Sequence, residues 1–287
     1  MPKKSSSRAV LRSRSGTALS KLPNAPLAEV VFEVRWDLLG EERLGPFRRD
    51  PGYFSCVDAL IEKAKLIGYR VHKTITPEGQ LVSPYAIEHR FYRSEDEMFP
   101  VLQIGPGIFA INESTEYMWG TFKERCLSAM NLLTQCYPKM ANFSFFPNQF
   151  QLRYIDALKP AESSQSLIEF LKDSTYFEFH LPIFLISDVF GQIGDTQIKL
   201  ALPVRGHKDT SFTIDLSKGK ASNVDAFLMQ SAFTSKIRPG ALGKSAPAAQ
   251  SMVGTWLEAA HSVTSPFFQS AIKDSLMSEY REPQPNA

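Results

Sequence analysis

The sequence contains few of the residues that build metal centres or disulfide frameworks. Only three cysteines occur among 287 residues, and Cys56, Cys126 and Cys136 form no CxxC motif and no Cys/His pair at metal-ligand spacing. Cys126 and Cys136 lie on one predicted helix at a separation of about 15 Å, which is too far for a disulfide. We therefore expect three buried thiols, no metal or other cofactor, and a cytoplasmic location.

The signatures of common enzymes and of membrane spans are also absent. The chain contains no GxSxG, HExxH, GxxxxGK[ST] or GxGxxG sequence, and its five histidines are scattered. No apolar run approaches the ~18 residues that span a bilayer. These absences favour a protein that is not an enzyme and has no membrane partner, but they do not decide whether some catalysis occurs.

Positive charge is concentrated at the start of the chain. The formal charge is +2, and residues 1–21 hold six basic and no acidic side chains, so that residues 22–287 carry −4. A basic, Ser-rich segment without an apolar stretch is typical of a disordered tail. One interpretation is a solvated leader, and the other is an arm that contacts nucleic acid or a partner. The candidate contact residues are Lys3, Lys4, Arg8, Arg12 and Arg14.

Residues 22–36, LPNAPLAEVVFEVRW, predict the strand around which the fold is built. Its two prolines keep the approach extended, and apolar residues then alternate with Glu33 and Arg35. Such alternation is typical of a strand with one buried face. The side chains predicted to face the core are Phe32, Val34 and Trp36.

Residues 149–156, QFQLRYID, repeat this pattern 118 positions later. We interpret the likeness as an internal duplication, and a chance similarity of two alternating strands is the alternative. The predicted fold is α+β, with two similar halves, 22–145 and 146–287, each an antiparallel or mixed sheet covered by helices. The matched pairs are Phe32 with Phe150, Glu33 with Gln151, Val34 with Leu152, Arg35 with Arg153, and Trp36 with Tyr154.

The rest of the chain alternates predicted helices, strands and turns. Asp50 and Pro51 predict a helix start, and an amphipathic stripe predicts a long helix after Ala248 that Pro266 either kinks or divides. Ser222, with an acid three residues later, predicts another helix start. Residues 234–249 predict a mobile loop with a basic character. Its cations, Lys236, Arg238 and Lys244, are further candidates for contact with nucleic acid or a partner.

Four segments together resemble a sporadically distributed bacterial family that is recognised by an N-terminal PLxEVxFExR signature. They are PLAEVVFEVRW, LQIGPGIFAIN, FQLRYID and an AH pair in the late amphipathic helix, and the likeness extends from Leu22 to Tyr280. The resemblance implies a soluble bacterial protein. The scattered distribution of such genes implies mobile elements, such as phage-defence or toxin–antitoxin modules.

Two groups of residues are candidates for chemistry. If the halves are duplicates, Arg35 and Arg153 project from equivalent positions and could bind a phosphate or carboxylate, with Glu33 and Asp156 nearby. The alternative is that each arginine only pairs with an acid such as Glu33 or Glu88. Glu258 and His261 share a helix face and suggest acid–base chemistry, although a structural histidine is the simpler interpretation.

These observations lead to three functional hypotheses. The first is a non-catalytic component of a bacterial operon that binds a protein partner encoded nearby, with self-association as a further possibility. The second is nucleic-acid binding through the basic tail and the 234–249 loop. The third is an enzyme or sensor that binds a phosphorylated small molecule at Arg35 and Arg153.

Overall fold

The computed structural model describes residues 22–40, 48–77, 79–80, 83–114, 117–140, 143, 145–160, 165–179, 196–238 and 246–282. Within them lie nine strands and five α-helices, so the predicted α+β class is confirmed. The strands are β1 (Leu27–Trp36), β2 (Val71–Thr74), β3 (His89–Tyr92), β4 (Val101–Gly105), β5 (Ile108–Glu113), β6 (Pro147–Leu158), β7 (Gln197–Pro203), β8 (Thr210–Ala221) and β9 (Val224–Lys236). The helices are α1 (Tyr53–Lys63), α2 (Trp119–Cys136), α3 (Leu167–Ser174), α4 (Ala246–Ala271) and α5 (Asp274–Arg281).

All nine strands belong to one antiparallel sheet, in the order β2-β3-β4-β5-β1-β6-β9-β8-β7. The two look-alike segments are β1 and β6, and they pair directly with each other near the middle of this sheet. The two halves of the chain therefore share a continuous sheet.

The register of the central pair has a local twofold relation. Glu33 lies opposite Gln151, which is also the residue that the repeat pattern makes equivalent to it. Arg35 and Arg153 consequently lie at corresponding positions on either side of this pair. Outward from the centre, the strand order β1-β5-β4-β3 on one side of the sheet corresponds to the order β6-β9-β8-β7 on the other. A duplicated unit would produce this order, and the duplication itself stays a prediction.

The helices all pack on one face of the sheet, which we call the helix face. α2 lies between α1 and α4, and α4 also contacts β6 and β9. Trp256 of α4 packs on Phe32 and Phe150, with ring centroids 5.9 and 5.4 Å apart. Both phenylalanines are fully buried, as the alternation predicts. The three cysteines are also buried and unpaired.

The helix predicted to start at Ser222 is wrong, and the helix predicted after Asp50 is present but has a different cap; in both places a turn residue was interpreted as a cap. Ser222 and Asn223 have φ of 50° and 66° and form the two-residue turn of the β8–β9 hairpin. α1 begins at Tyr53, after Gly52, so Asp50 is not its cap. A complete capping box instead opens α3 at Ser166 and Glu169.

α4 continues through Pro266 without a break, so the apolar residues of the predicted stripe lie on one long helix rather than two. Its apolar side chains Val253, Leu257 and Ala260 are completely buried. No helix in the described part of the chain is both long and apolar enough to cross a membrane.

The carboxylate of Asp50 holds four parts of the N-terminal half together. It accepts hydrogen bonds from the indole of Trp36 at 2.9 Å, from the backbone N–H of Gly107 at 3.0 Å and from that of Gly52 at 3.2 Å, and also from the hydroxyl of Tyr137. These groups belong to the end of β1, the β4–β5 turn, the start of α1 and the end of α2. Since all are buried, no water can replace the carboxylate cheaply.

We expect Asp50→Ala to lower the free energy of unfolding by about 3–5 kcal/mol, because it leaves several buried donors unpaired. Asp50→Asn keeps one acceptor and should lose less. Urea denaturation monitored by tryptophan fluorescence measures both changes. The control is Asp58→Ala, which removes an exposed carboxylate of α1 and should shift stability by at most about 0.5 kcal/mol. Equal stabilities of Asp50→Ala and the control would contradict this role.

Candidate functional site

The face of the sheet opposite the helices, which we call the far face, carries a row of polar groups. Eight residues, one from each strand between β2 and β8 in the sheet order, form a row in which each residue lies opposite the next. Adjacent partners have side chains close enough to interact. Seven of the eight are polar: Lys73, Arg90, Gln103, Glu33, Gln151, Thr234 and Ser211, with Ala110 between Gln103 and Glu33.

Arg35 and Arg153 both project from this far face, as predicted, but they do not form one compact site. They lie on adjacent strands, but Arg35 is opposite Gln149, which is four residues from Arg153 along β6. Their Cα atoms are therefore about 14 Å apart. Arg35 donates to Glu33 at 2.6 Å and lies over the ring of Tyr85, 5.4 Å from its centroid. For Arg35, the interpretation as an ion-paired structural residue is therefore supported.

Arg153 is different, because its guanidinium has no hydrogen bond or ion pair within the described residues. Its Nε atom is buried and unsatisfied. Its direct neighbours on the far face are Val31 of β1 and Ala232 of β9, and neither can accept a hydrogen bond through its side chain. A buried donor without a partner is costly, and an anion that accepts a hydrogen bond from this Nε would remove that cost.

Other cations of the far face also lack an ion pair in the described chain. Arg90 of β3 has a buried, unsatisfied Nε, and Lys199 of β7 and Lys236 of β9 are exposed. Together with Arg153 they extend over the eight strands from β3 to β7, which is about 34 Å at the usual strand spacing. The carboxylates at far-face strand positions are Glu33, bound by Arg35, Glu29, bound by Asn112, and Asp215, bound by Gln197 and opposite Lys199 in the register. Lys73, also on this face, is paired with Glu95.

Asp156 does not lie on the far face, so the prediction that it belongs to the arginine site is wrong. It lies opposite Met229 on β9, so it projects from the helix face, whereas Arg153 projects from the far face. Asp156 is 6% exposed, and burial raises the pKa of its carboxyl to about 7. It therefore cannot assist Arg35 or Arg153 in binding a ligand.

Glu258 and His261 share one side of α4, as predicted, but each has a different partner. Glu258 accepts from Lys123 at 2.6 Å and from the indole of Trp119 at 3.3 Å, and the lysine lowers the pKa of its carboxyl. Trp119 stacks flat on His261, with ring centroids 4.0 Å apart. Since Glu258 is held in its charged form, it is poorly suited to donate a proton.

His261 ends a chain of hydrogen bonds that the sequence did not reveal. Its Nδ1 lies 2.9 Å from the hydroxyl of Tyr154, which lies 2.8 Å from that of Tyr117. Burial lowers the pKa of His261 to about 4 and raises the pKa of both tyrosines, so all three groups are neutral near pH 7. The chain joins α4, β6 and the segment before α2, which fits a structural role.

Two of the candidate basic residues outside the central strands lie within the described residues. Lys236 lies exposed at the end of β9 and is one of the far-face cations described above. Arg238 donates to Asp209 at 2.6 and 3.0 Å and lowers the pKa of that carboxyl. Lys244 and the tail residues Lys3, Lys4, Arg8, Arg12 and Arg14 lie outside the described residues.

The comparisons with known proteins return nothing: no protein family, no curated protein and no solved structure matches the chain. The resemblance to the PLxEVxFExR family and the role in defence or toxin–antitoxin systems therefore stay predictions. Among the described residues, no three or more His, Cys, Asp or Glu side chains are grouped so as to hold a metal ion. The far face, with its unpaired arginines, is thus the strongest candidate site.

The raised pKa of Asp156 makes stability depend on pH. The folded pKa of about 7 exceeds the usual value of ~3.9, so over this range the folded protein retains a proton that the unfolded chain releases. Stability should fall as pH rises from 4 to 7 and change little from this source above pH 7. We expect Asp156→Asn, which cannot ionise, to escape this loss, which is up to roughly 4 kcal/mol.

Urea denaturation of the protein and of Asp156→Asn at pH 5, 6, 7 and 8 measures this difference. The free energy of unfolding of the variant, relative to that of the original chain, should increase at each step up to pH 7. Asp58→Asn, at an exposed position, controls for general charge effects. A difference between Asp156→Asn and the original chain that is independent of pH would show that Asp156 is charged in the folded state.

Proposed function

We propose that the protein binds nucleic acid through the far face of its sheet. The observation that carries the proposal is the buried, unsatisfied Nε atom of Arg153, whose side chain has no hydrogen bond or ion pair within the described residues. Guanidinium groups bind phosphate oxygens through two parallel hydrogen bonds. A phosphate at this position would satisfy the orphaned nitrogen and neutralise the charge.

The spread of the cations favours a polyanion over a small phosphorylated molecule. A small ligand needs groups that converge, but Arg35 and Arg153 are about 14 Å apart and Arg35 is already bound to Glu33. Arg90, Arg153, Lys199 and Lys236 are instead distributed over about 34 Å. A nucleic-acid backbone presents phosphates repeatedly over such a length.

The charge balance of the chain agrees with this arrangement. Residues 22–287 carry a formal charge of −4, so a face with several unpaired cations stands out from a mildly acidic body. Such a face attracts phosphates and leaves the remaining surface repulsive to them, which sets the orientation of binding. Gln151 and Thr234, which hydrogen-bond each other at 2.9 Å, retain further donors and acceptors for sugars or bases.

We expect Arg153→Ala to weaken binding of the full-length protein to single- and double-stranded oligonucleotides by roughly tenfold or more. The plot of log affinity against log salt should become shallower by about 0.7–0.9, the value of one lost phosphate contact. Fluorescence anisotropy at several salt concentrations measures both quantities. Arg153→Lys should restore the slope but only part of the affinity, because lysine lacks the two-pronged geometry.

Two controls separate this interface from other sources of binding. Lys65→Ala removes a cation near the end of α1, away from the far face, and should change nothing. A full-length variant with Arg8, Arg12 and Arg14 changed to Ala reports the share of the basic tail. The proposal fails if folded Arg153→Ala binds like the original protein, or if the original shows no salt-dependent binding. Co-purification with a single protein partner would favour the operon-component hypothesis instead.

A further inference from the structure

A pair of histidines lies on the edge of the sheet, on the helix face and away from the interface proposed above. His72 of β2 and His89 of β3 point toward each other across the strand pair, with His72 Nε2 3.0 Å from His89 Nδ1. Thr74 adds a hydroxyl 3.2 Å from the same Nδ1. Three potential ligand atoms of the neighbouring strands therefore converge on one small region.

The ring positions are close to those that a shared metal ion requires. Two imidazole nitrogens bound to one tetrahedral ion at ~2.0–2.1 Å are roughly 3.3–3.4 Å apart. The observed separation of 3.0 Å needs only a small rotation of the rings to reach this value. The ring of His72 is already held by stacking on Phe91, with centroids 4.9 Å apart.

The surroundings of His89 also resemble a metal site. Its other nitrogen, Nε2, lies 3.8 Å from a carboxylate oxygen of Glu88. The same oxygen accepts a hydrogen bond from Tyr53 at 2.7 Å, so its position is fixed. A carboxylate that accepts a hydrogen bond from the second nitrogen of a ligating histidine orients the ring and increases its basicity. At 3.8 Å, Glu88 lies near this position but does not make the bond.

We propose that His72 and His89 bind a divalent transition-metal ion such as Zn²⁺, Ni²⁺ or Cu²⁺. The two imidazole nitrogens are the protein ligands, the Thr74 hydroxyl lies beside them, and water completes the coordination shell. The imidazole that now donates the hydrogen bond moves its proton to its other ring nitrogen, so both ligands remain neutral. The ion links edge strand β2 to β3. Imidazole ligands select such ions over Mg²⁺ and Ca²⁺, which prefer oxygen.

The experiment titrates the full-length protein, freed of any affinity tag, with Zn²⁺ and separately with Ni²⁺ at pH 7.5 by isothermal calorimetry. We expect saturable binding of one ion per chain and an increase in the thermal midpoint when the ion is present. His72→Gln and His89→Gln should each abolish both effects. His207→Gln is the matched control, because His207 lies on the β7–β8 connection and should leave binding unchanged.

The imidazole NMR signals of the original protein provide a second test, which does not depend on whether the variants fold. Addition of Zn²⁺ should shift the signals of two of the five histidines and leave the other three in place. The proposal is wrong if no ion binds at a one-to-one ratio, or if the His72→Gln and His89→Gln variants bind as the original does. Shifts confined to histidines other than His72 and His89 would also overturn it.

Discussion

The antiparallel pairing of β1 with β6 is the interaction on which the rest of the structure depends. It joins two segments that are far apart in sequence, and it creates one continuous sheet from the two halves of the chain. Its buried side supplies Phe32 and Phe150 to a single aromatic cluster with Trp256. Because side chains alternate between faces, the same register that buries these rings places Arg35 and Arg153 on the far face.

The two faces of this central pair have opposite physical characters. On the helix face, apolar rings are packed against α4, and the polar groups are neutral or tightly paired, as in the Tyr117–Tyr154–His261 chain. On the far face, Arg153 is left without a partner within the described residues. A buried donor without a partner is costly, and this cost is the reason for proposing a binding role for Arg153.

The sequence was sufficient for features that depend on local alternation, and insufficient for those that depend on distant neighbours. Burial of Phe32 and Phe150 followed from period-two spacing, but the adjacency of β1 and β6 is a non-local pairing that spacing does not encode. The misread turn at Ser222 hid β9, because a left-handed Ser-Asn pair resembles a helix cap in one dimension. That Arg35 is paired while Arg153 is not depends on the far-face neighbours Val31 and Ala232, which only the sheet order reveals.

Asp156 shows how strictly strand geometry separates chemical roles. Arg153 and Asp156 are three residues apart on β6, and an odd separation on one strand places two side chains on opposite faces. The carboxylate is therefore directed into the apolar side, where burial raises its pKa, and the guanidinium is directed to the side that lacks a counter-charge. An even separation, like that of Glu33 and Arg35, would have placed both side chains on one face, where an ion pair can form. Arg153 is therefore left without a counter-charge among the described residues, and the proposed phosphate would supply one.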